Sequence, residues 1–254
     1  MKKAIIYTLA FAVIQIAMMQ LVQLFYGLMS DKETASLSAS QMIIAMTASS
    51  IVVIALFLYL HWAEVSRSYV RLRPWATLFW CALAAMGAII PSEFVQELIP
   101  LPNIVEEEFD MILKDRWGYF AIGLFAPVCE ELVFRGAILR ALLRWTPRHW
   151  LAIAISALLF ALIHANPAQM PHAFLIGLLL GWFYYRTDSI VPGVVYHWVN
   201  NSIAYVVYNF YPDPQMTLFD LFGSQRSVAA AVLFSLLVLL PALYQLHLRL
   251  RKAQ

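Results

Sequence analysis

Eight stretches of the chain are apolar enough to cross a lipid bilayer as helices: 4–29, 41–62, 75–99, 117–143, 150–166, 171–186, 190–210 and 227–248. A helical crossing takes about 20 predominantly apolar residues. Inside hydrocarbon every backbone N–H and C=O must be bonded within the protein, which restricts spanning segments to helices and closed barrels. Runs of this length predict an all-α integral membrane protein with about eight transmembrane helices. Composition agrees, since 62% of the 254 residues are hydrophobic and 13% are charged, with mean hydropathy +0.73. An ordinary soluble domain carries about 25% charged residues, and it could not hide this much apolar surface. No period repeats and no stretch is low in complexity, so residues 1–254 read as one polytopic membrane domain. The start, Met1-Lys2-Lys3 followed by an apolar run to Met29, resembles a signal sequence. The run is roughly twice a signal peptide's apolar region and no small-residue cleavage site follows, so it reads as a retained first span.

The loop charges test this layout independently. With the N-terminus in the cytoplasm and eight crossings, the cytoplasmic ends hold Lys2, Lys3, Arg67, Arg71, Arg73, Arg135, Arg140, Arg144, Arg148, Arg186, Arg249, Arg251 and Lys252. The other side keeps Lys32, Lys114, Arg116 and Arg226. Such an excess marks the cytoplasmic side and places both termini there. The largest outer loop and its flanks carry Glu93, Glu97, Glu106, Glu107, Glu108, Asp110 and Asp115. They read as a solvated acidic face, with a divalent-ion site as the alternative. The two cysteines, Cys81 and Cys129, lie in apolar runs and predict no disulfide framework. Nothing basic and aromatic is interleaved as nucleic-acid binding would require.

Ionisable residues deep in a span cost about 2.5–3.5 kcal/mol each on insertion scales and face a bundle interior or a cavity. Three spans carry them. The fourth reads Ala126-Pro127-Val128-Cys129-Glu130-Glu131-Leu132-Val133-Phe134-Arg135-Gly136. Neighbours on a helix diverge by about 100°, so the two carboxylates serve different partners. Glu131 and Arg135, four apart, share a face, and Glu130 is left for another task. A plain ion-pair lock between helices would need only one carboxylate. The fifth span ends Phe160-Ala161-Leu162-Ile163-His164, and the seventh carries His197-Trp198-Val199-Asn200-Asn201. His197 and Asn201 share a face; taken alone, they could be polar glue between helices. Counting from the cytoplasmic ends puts Glu130 and His164 both roughly 20 Å deep and His197 roughly 10 Å deep, at 1.5 Å per residue. With helix tilt, one cavity can hold all three.

Glu130, His164 and His197 offer two chemistries. With zinc they form a two-His, one-carboxylate set that leaves a position for water. Without metal, Glu130 acts as general base on a water, while His197 and Asn201 donate to the developing oxyanion. Either route hydrolyses an amide without a covalent intermediate. Cys129 is a packing residue, because a reactive thiol wants an electropositive setting and its neighbours are carboxylates. His61, His149 and His247 read as interfacial, and His172, at the outer start of the sixth span, reads as bland too, with an accessory polar role as the alternative.

Together the three motifs resemble the CPBP family of intramembrane proteases, also called Abi or CAAX-protease-like. Its pattern is Glu-Glu-x-x-x-Arg, then Phe-x-x-x-His, then His-x-x-x-Asn, on separate spans. The resemblance covers about residues 117–205, which become the expected catalytic core helices. It implies that Glu130 activates water, that Glu131 and Arg135 shape the site, and that His164 positions the water. His197 with Asn201 would then stabilise the oxyanion. It leaves open whether Zn2+ takes part, with Glu130, His164 and His197 as its ligands. The partners it implies are membrane lipid and a peptide or protein substrate, such as a C-terminal tail, admitted from the cytoplasmic side. With no organelle signal recognised, the expected location is a bacterial plasma membrane, with N- and C-termini cytoplasmic. Two other classes stand beside the protease: a bacteriocin-immunity or peptide-binding protein of the same fold, and a transporter relaying protons through Glu and His. The transporter lacks the internal repeat that such folds carry.

Overall fold

The computed structural model describes residues 1–29, 37–65, 67–72, 74–213 and 216–252. Lys32 and Arg73, two of the loop charges above, lie outside the described residues, as does the side chain of Arg67. Among the described residues all regular structure is helical. Each of the eight apolar stretches forms a helix: α1 Lys2–Met29, α2 Ala39–Tyr59, α3 Trp75–Glu97, α4 over 119–145, α5 His149–Ile163, α6 Met170–Thr187, α7 Val191–Phe210 and α8 Gln225–Arg249. By length and composition α1, α2, α3 and α8 are long and apolar enough to cross a membrane, and α5 is a shorter apolar helix. Short helices Arg67–Arg71, Glu106–Lys114 and Leu218–Phe222 lie between them.

Local chemistry sets the helix ends. α2 starts at a capping box in which the Ser38 and Gln41 side chains each accept from the other's backbone N–H, satisfying donors that the first turn cannot. α5 stops earlier than the hydropathy predicts, at Ile163 instead of 166. Ala165 takes a left-handed backbone with φ 50°, and the Asn166 side chain turns to the loop before the acidic helix. Its Oδ1 accepts from Ile104 N at 3.1 Å and its Nδ2 donates to Asn103 Oδ1 at 2.8 Å. The hairpin tip between α5 and α6 is thereby tied to the 98–105 loop.

α4 is the centre of the bundle and packs against α1, α2, α5, α6 and α7. It alternates in geometry. Tyr119–Phe125 and Leu132–Leu139 are π-helical, while Ala126–Glu131 and Arg140–Trp145 are α-helical. Every residue of Leu132–Leu139 is buried. Around it forms one packed cluster that includes Phe11 of α1, Phe57 of α2, Phe134 of α4, and Ile153 and Phe160 of α5. A second cluster joins α3, α6, α7 and α8 through Ala84, Leu180, Phe183, Tyr196, Ala242 and Leu246. α5 and α6 meet closely at Gly177, where a Cβ would stand 2.9 Å from the Ala157 Cα.

Outside these clusters the bundle is strongly apolar. Leu9, Val13 and Ile16 on α1 and Leu233, Phe234 and Leu237 on α8 are each more than half exposed. Contiguous apolar surface on this scale is foreign to a soluble monomer and suits the lipid-facing side of a multi-pass membrane protein. The basic residues divide less simply than the loop count assumed. Arg140 pairs with Glu64, and Lys252 pairs with Asp188 at 3.3 Å, near the ends of α2, α4, α6 and α8. Arg135, counted among the cytoplasmic charges, is buried in the protein. It reports on the site below and not on orientation; without it the charge asymmetry still stands.

Candidate active site

The α-helical turn Ala126–Glu131 of α4 presents both glutamates between its two π segments. Glu131 is fully buried. Its Oε1 accepts from Arg135 Nη1 at 2.6 Å, the pairing that the four-residue spacing predicts. The same oxygen lies 3.3 Å from His197 Nδ1 on α7. Glu131 Oε2 and Arg135 Nε have no hydrogen-bond partner among the described residues. Oε2 rests against Gly193, where an added Cβ would stand only 2.5 Å away. Glycine at 193 is what lets a buried carboxylate lie flat on α7. Gly193→Ala is therefore expected to push Glu131 aside and His197 with it, since displacement of about 1 Å at a reacting site can cost 10²-fold. A roughly 100-fold fall in kcat, with the helical circular-dichroism spectrum kept, would report this.

Arg135 is held from three sides. Besides Glu131, its Nη2 donates to the Gly177 carbonyl of α6 at 3.3 Å. Its guanidinium stacks over the Phe160 ring of α5, 4.5 Å from the centroid, a cation–π contact of about 2 kcal/mol or more when desolvated. Phe160 also meets the His164 ring edge-on at 4.9 Å and the His197 ring at 5.9 Å. One aromatic ring thus seats the arginine and both motif histidines.

His197 connects the two carboxylates. Its Nε2 is 3.7 Å from Glu130 Oε2, as its Nδ1 is near Glu131. A carboxylate can only accept, so Nδ1–H is the donor in the 3.3 Å contact to Glu131, while the 3.7 Å approach of Nε2 to Glu130 is longer than a hydrogen bond. Arg135 is the cation that faces Glu131 directly, which offsets part of the cost of burying that charge. Glu130 is the more open carboxylate, with its side chain 19% exposed where Glu131 shows none. It faces a cavity of about 540 Å³ that His164, His197, Asn200 and Asn201 also line.

His164 caps α5 and bonds its Nδ1 to the Phe160 carbonyl at 2.7 Å. That bond fixes the ring and leaves Nε2 for the cavity. Asn201 Nδ2 donates to the Ile122 carbonyl of α4 at 3.0 Å, and its Oδ1 accepts from Asn200 Nδ2 at 3.3 Å. Thus Glu130, Glu131, Arg135 and His197 form one connected chain, and His164 and Asn201 share its cavity. Two residues not assigned to the site by sequence are there as well. His172 of α6 lines the cavity and bonds Ser92 of α3. Asn200 is buried in the wall. The adjacent Asn-Asn pair was the available signal for the second. Cys129 is buried in the core cluster, in keeping with a packing role.

The donor set does not fit a metal as arranged. Among the described residues no three His, Cys, Asp or Glu side chains converge closely enough to hold an ion. Glu131 is committed to Arg135 and His197. The cavity lining draws on the C-terminal ends of α3 and α7, the 98–114 region, Asp213 and residues 216–221. It opens at the end of the bundle opposite the two termini.

Residues 113–203 match the family model described as Rce1-like, type II CAAX prenyl endopeptidase Rce1-like. The matched stretch holds all three motifs and agrees with the family that they resemble. No curated protein and no solved structure matches the chain.

Proposed function

We propose that the Rce1-like core of this chain is an intramembrane endopeptidase in which Glu130 activates the attacking water. All eight long helices cross the membrane in this reading, both termini are cytoplasmic, and the membrane is a bacterial plasma membrane. Protease protection of tags at the two termini in inverted vesicles tests the orientation, which fails if either tag is digested in intact cells.

The observation that carries the proposal is the connected chain Arg135–Glu131–His197–Glu130 ending at the cavity. Arg135 fixes Glu131, and Glu131 fixes the His197 ring, in the way that a buried carboxylate orients a catalytic imidazole. A water between Glu130 and the His164 Nε2 loses a proton to Glu130 as its oxygen bonds the scissile carbonyl carbon. The carbonyl oxygen becomes the oxyanion. In this proposal the oxyanion accepts from His197 Nε2–H and from the second Asn201 amide hydrogen, the kind of fixed donors that lower such barriers most. Glu130 returns its proton to the leaving nitrogen as the C–N bond breaks, which yields a carboxylic acid and an amine. Each step uses the chain's own groups.

The test is digestion of a peptide library, prenylated C-terminal peptides included, by the purified protein in nanodiscs, with fragments read by mass spectrometry. Fragments whose yield is unchanged by a chelator are the expected result. Activity that chelation removes and zinc restores would replace the metal-free mechanism. A folded protein that cleaves nothing would give the non-catalytic peptide-binding reading its place.

A further inference from the structure

We infer that His172 binds the substrate's backbone: its Nε2–H donates to a peptide carbonyl beside the scissile one, from a ring whose orientation Ser92 fixes. The inference rests on the protease reading for which bond is cut, but its own content is a hydrogen bond to a bound peptide.

His172 stands in the first turn of α6, and Ser92 near the C-terminal end of α3. They meet through Ser92 Oγ and His172 Nδ1, and neither side chain has another hydrogen-bond partner among the described residues. If the ring donated from Nδ1, the Ser92 proton would be left without an acceptor in an apolar wall, and a buried donor left unmade is costly. Ser92 therefore donates and Nδ1 accepts, which puts the proton of the neutral ring on Nε2. His197 lies against two carboxylates; no carboxylate among the described residues bonds His172, so nothing there holds it doubly protonated. Among the described residues Ser92 does not itself line the cavity. It holds the ring and is not a nucleophile.

The other edge of the ring opens on the cavity. Among the described residues the unpartnered side-chain atoms closed to solvent are Tyr69 Oη, Glu131 Oε2, Arg135 Nε and Asn200 Oδ1. His172 Nε2 is unpartnered too but open, in a residue that lines the cavity. His164 has the opposite character. Its Nδ1 donates to the Phe160 carbonyl, so a neutral ring there turns a lone pair inward. One histidine thus offers an acceptor, suited to water, and the other a donor, suited to a carbonyl. In the proposed mechanism the oxyanion takes His197 and Asn201. Successive residues of an extended peptide lie about 3.3–3.6 Å apart, so the next carbonyl needs a donor of its own. Ile176, one turn along α6, and Ile89, one turn before Ser92, line the same wall, and a carbonyl desolvated against them is costly unless it is bonded. Glu93 also lines it, but a carboxylate only accepts and repels an anionic ligand. A neutral backbone carbonyl is the group that fits, and binding it sets which peptide bond comes to Glu130.

The tautomer is read by nitrogen NMR of histidine-labelled protein in nanodiscs, with His172→Gln assigning the signal. Wild type should show a His172 ring protonated at Nε2, and Ser92→Ala a mixture of both neutral forms. Binding is read on the Glu130→Gln protein with a panel of fluorescent apolar peptides. In the tightest binder each backbone carbonyl is exchanged in turn for a thiocarbonyl, a poorer acceptor. One exchange is expected to weaken binding about tenfold, the size of one hydrogen bond, and to have no effect once His172→Ala is added. On a cleaved peptide His172→Ala should raise KM by a similar factor with kcat kept, the pattern of binding shared by ground and transition states. A ring protonated at Nδ1 in wild type, a thiocarbonyl penalty that survives His172→Ala, or a panel in which nothing binds overturns the inference. A His172-dependent penalty in a peptide that wild type never cleaves refutes the protease reading alone.

Discussion

Replacing Glu130 by glutamine is expected to lower kcat by about 10²–10⁴-fold, the range that a positioned general base contributes, while the protein folds and inserts as before. The two halves of this result have different causes. Glutamine keeps the size of the side chain but cannot take the proton of the attacking water. Folding is spared because Glu130 faces the cavity and makes only the long 3.7 Å approach to His197. Its removal leaves the Arg135–Glu131 pair and the Glu131–His197 bond in place. The comparison is made on single-turnover cleavage and on thermal unfolding of wild type and Glu130→Gln side by side. Turnover at the wild-type rate in Glu130→Gln would remove the proposed mechanism.

The second large effect falls on stability. Arg135→Met should destabilise the protein by about 3–5 kcal/mol, because it leaves Glu131 as a buried charge without its partner. The Gly177 carbonyl and the Phe160 face lose their donor and cation at the same time. Lysine is no remedy, since a point charge cannot meet a carboxylate, a carbonyl and a ring in one plane as a guanidinium does. A double variant Arg135→Met with Glu131→Leu removes both charges and is expected to recover much of the lost stability, as apolar replacements of buried pairs often do. It should remain inactive, because His197 no longer has the carboxylate that orients it. Recovery of activity together with stability would mean that the pair serves folding alone.

Much of this was legible in the sequence for physical reasons. Long apolar runs have one solution in lipid, so each of the eight stretches became a helix. The Glu131–Arg135 contact followed from helical spacing. Depth was the weaker argument. Counted from the loops, His197 sits about 10 Å shallower than Glu130, yet its ring lies between both glutamates. Span ends read from hydropathy shift by several residues, and α4 departs from α-helical rise over two π segments. What could not be read was tertiary. Asn166 ties the α5–α6 tip to the loop at Asn103 and Ile104, and the acidic helix comes to lie over the cavity. Neither has a local signature, because each depends on which loop meets which across the bundle. His172 and Asn200 were visible as polar residues in apolar spans, but no spacing rule linked them to the motifs.

The wide turns on either side of Ala126–Glu131 give α4 an unusual tolerance to changes of length. In a plain α-helix, losing one residue turns everything beyond it by about 100°, which would carry Glu131 away from Arg135 or the whole pair away from His197. A π segment already holds an extra residue relative to α geometry. A shorter relative can drop that residue, relax the turn to α, and keep its downstream side chains in the same directions. One-residue gaps within 119–125 or 136–139 are therefore compatible with an intact site, whereas a gap within 126–135 is not. For chains aligned to this one, the position of an insertion or deletion along the fourth helix says more about retained chemistry than its mere presence.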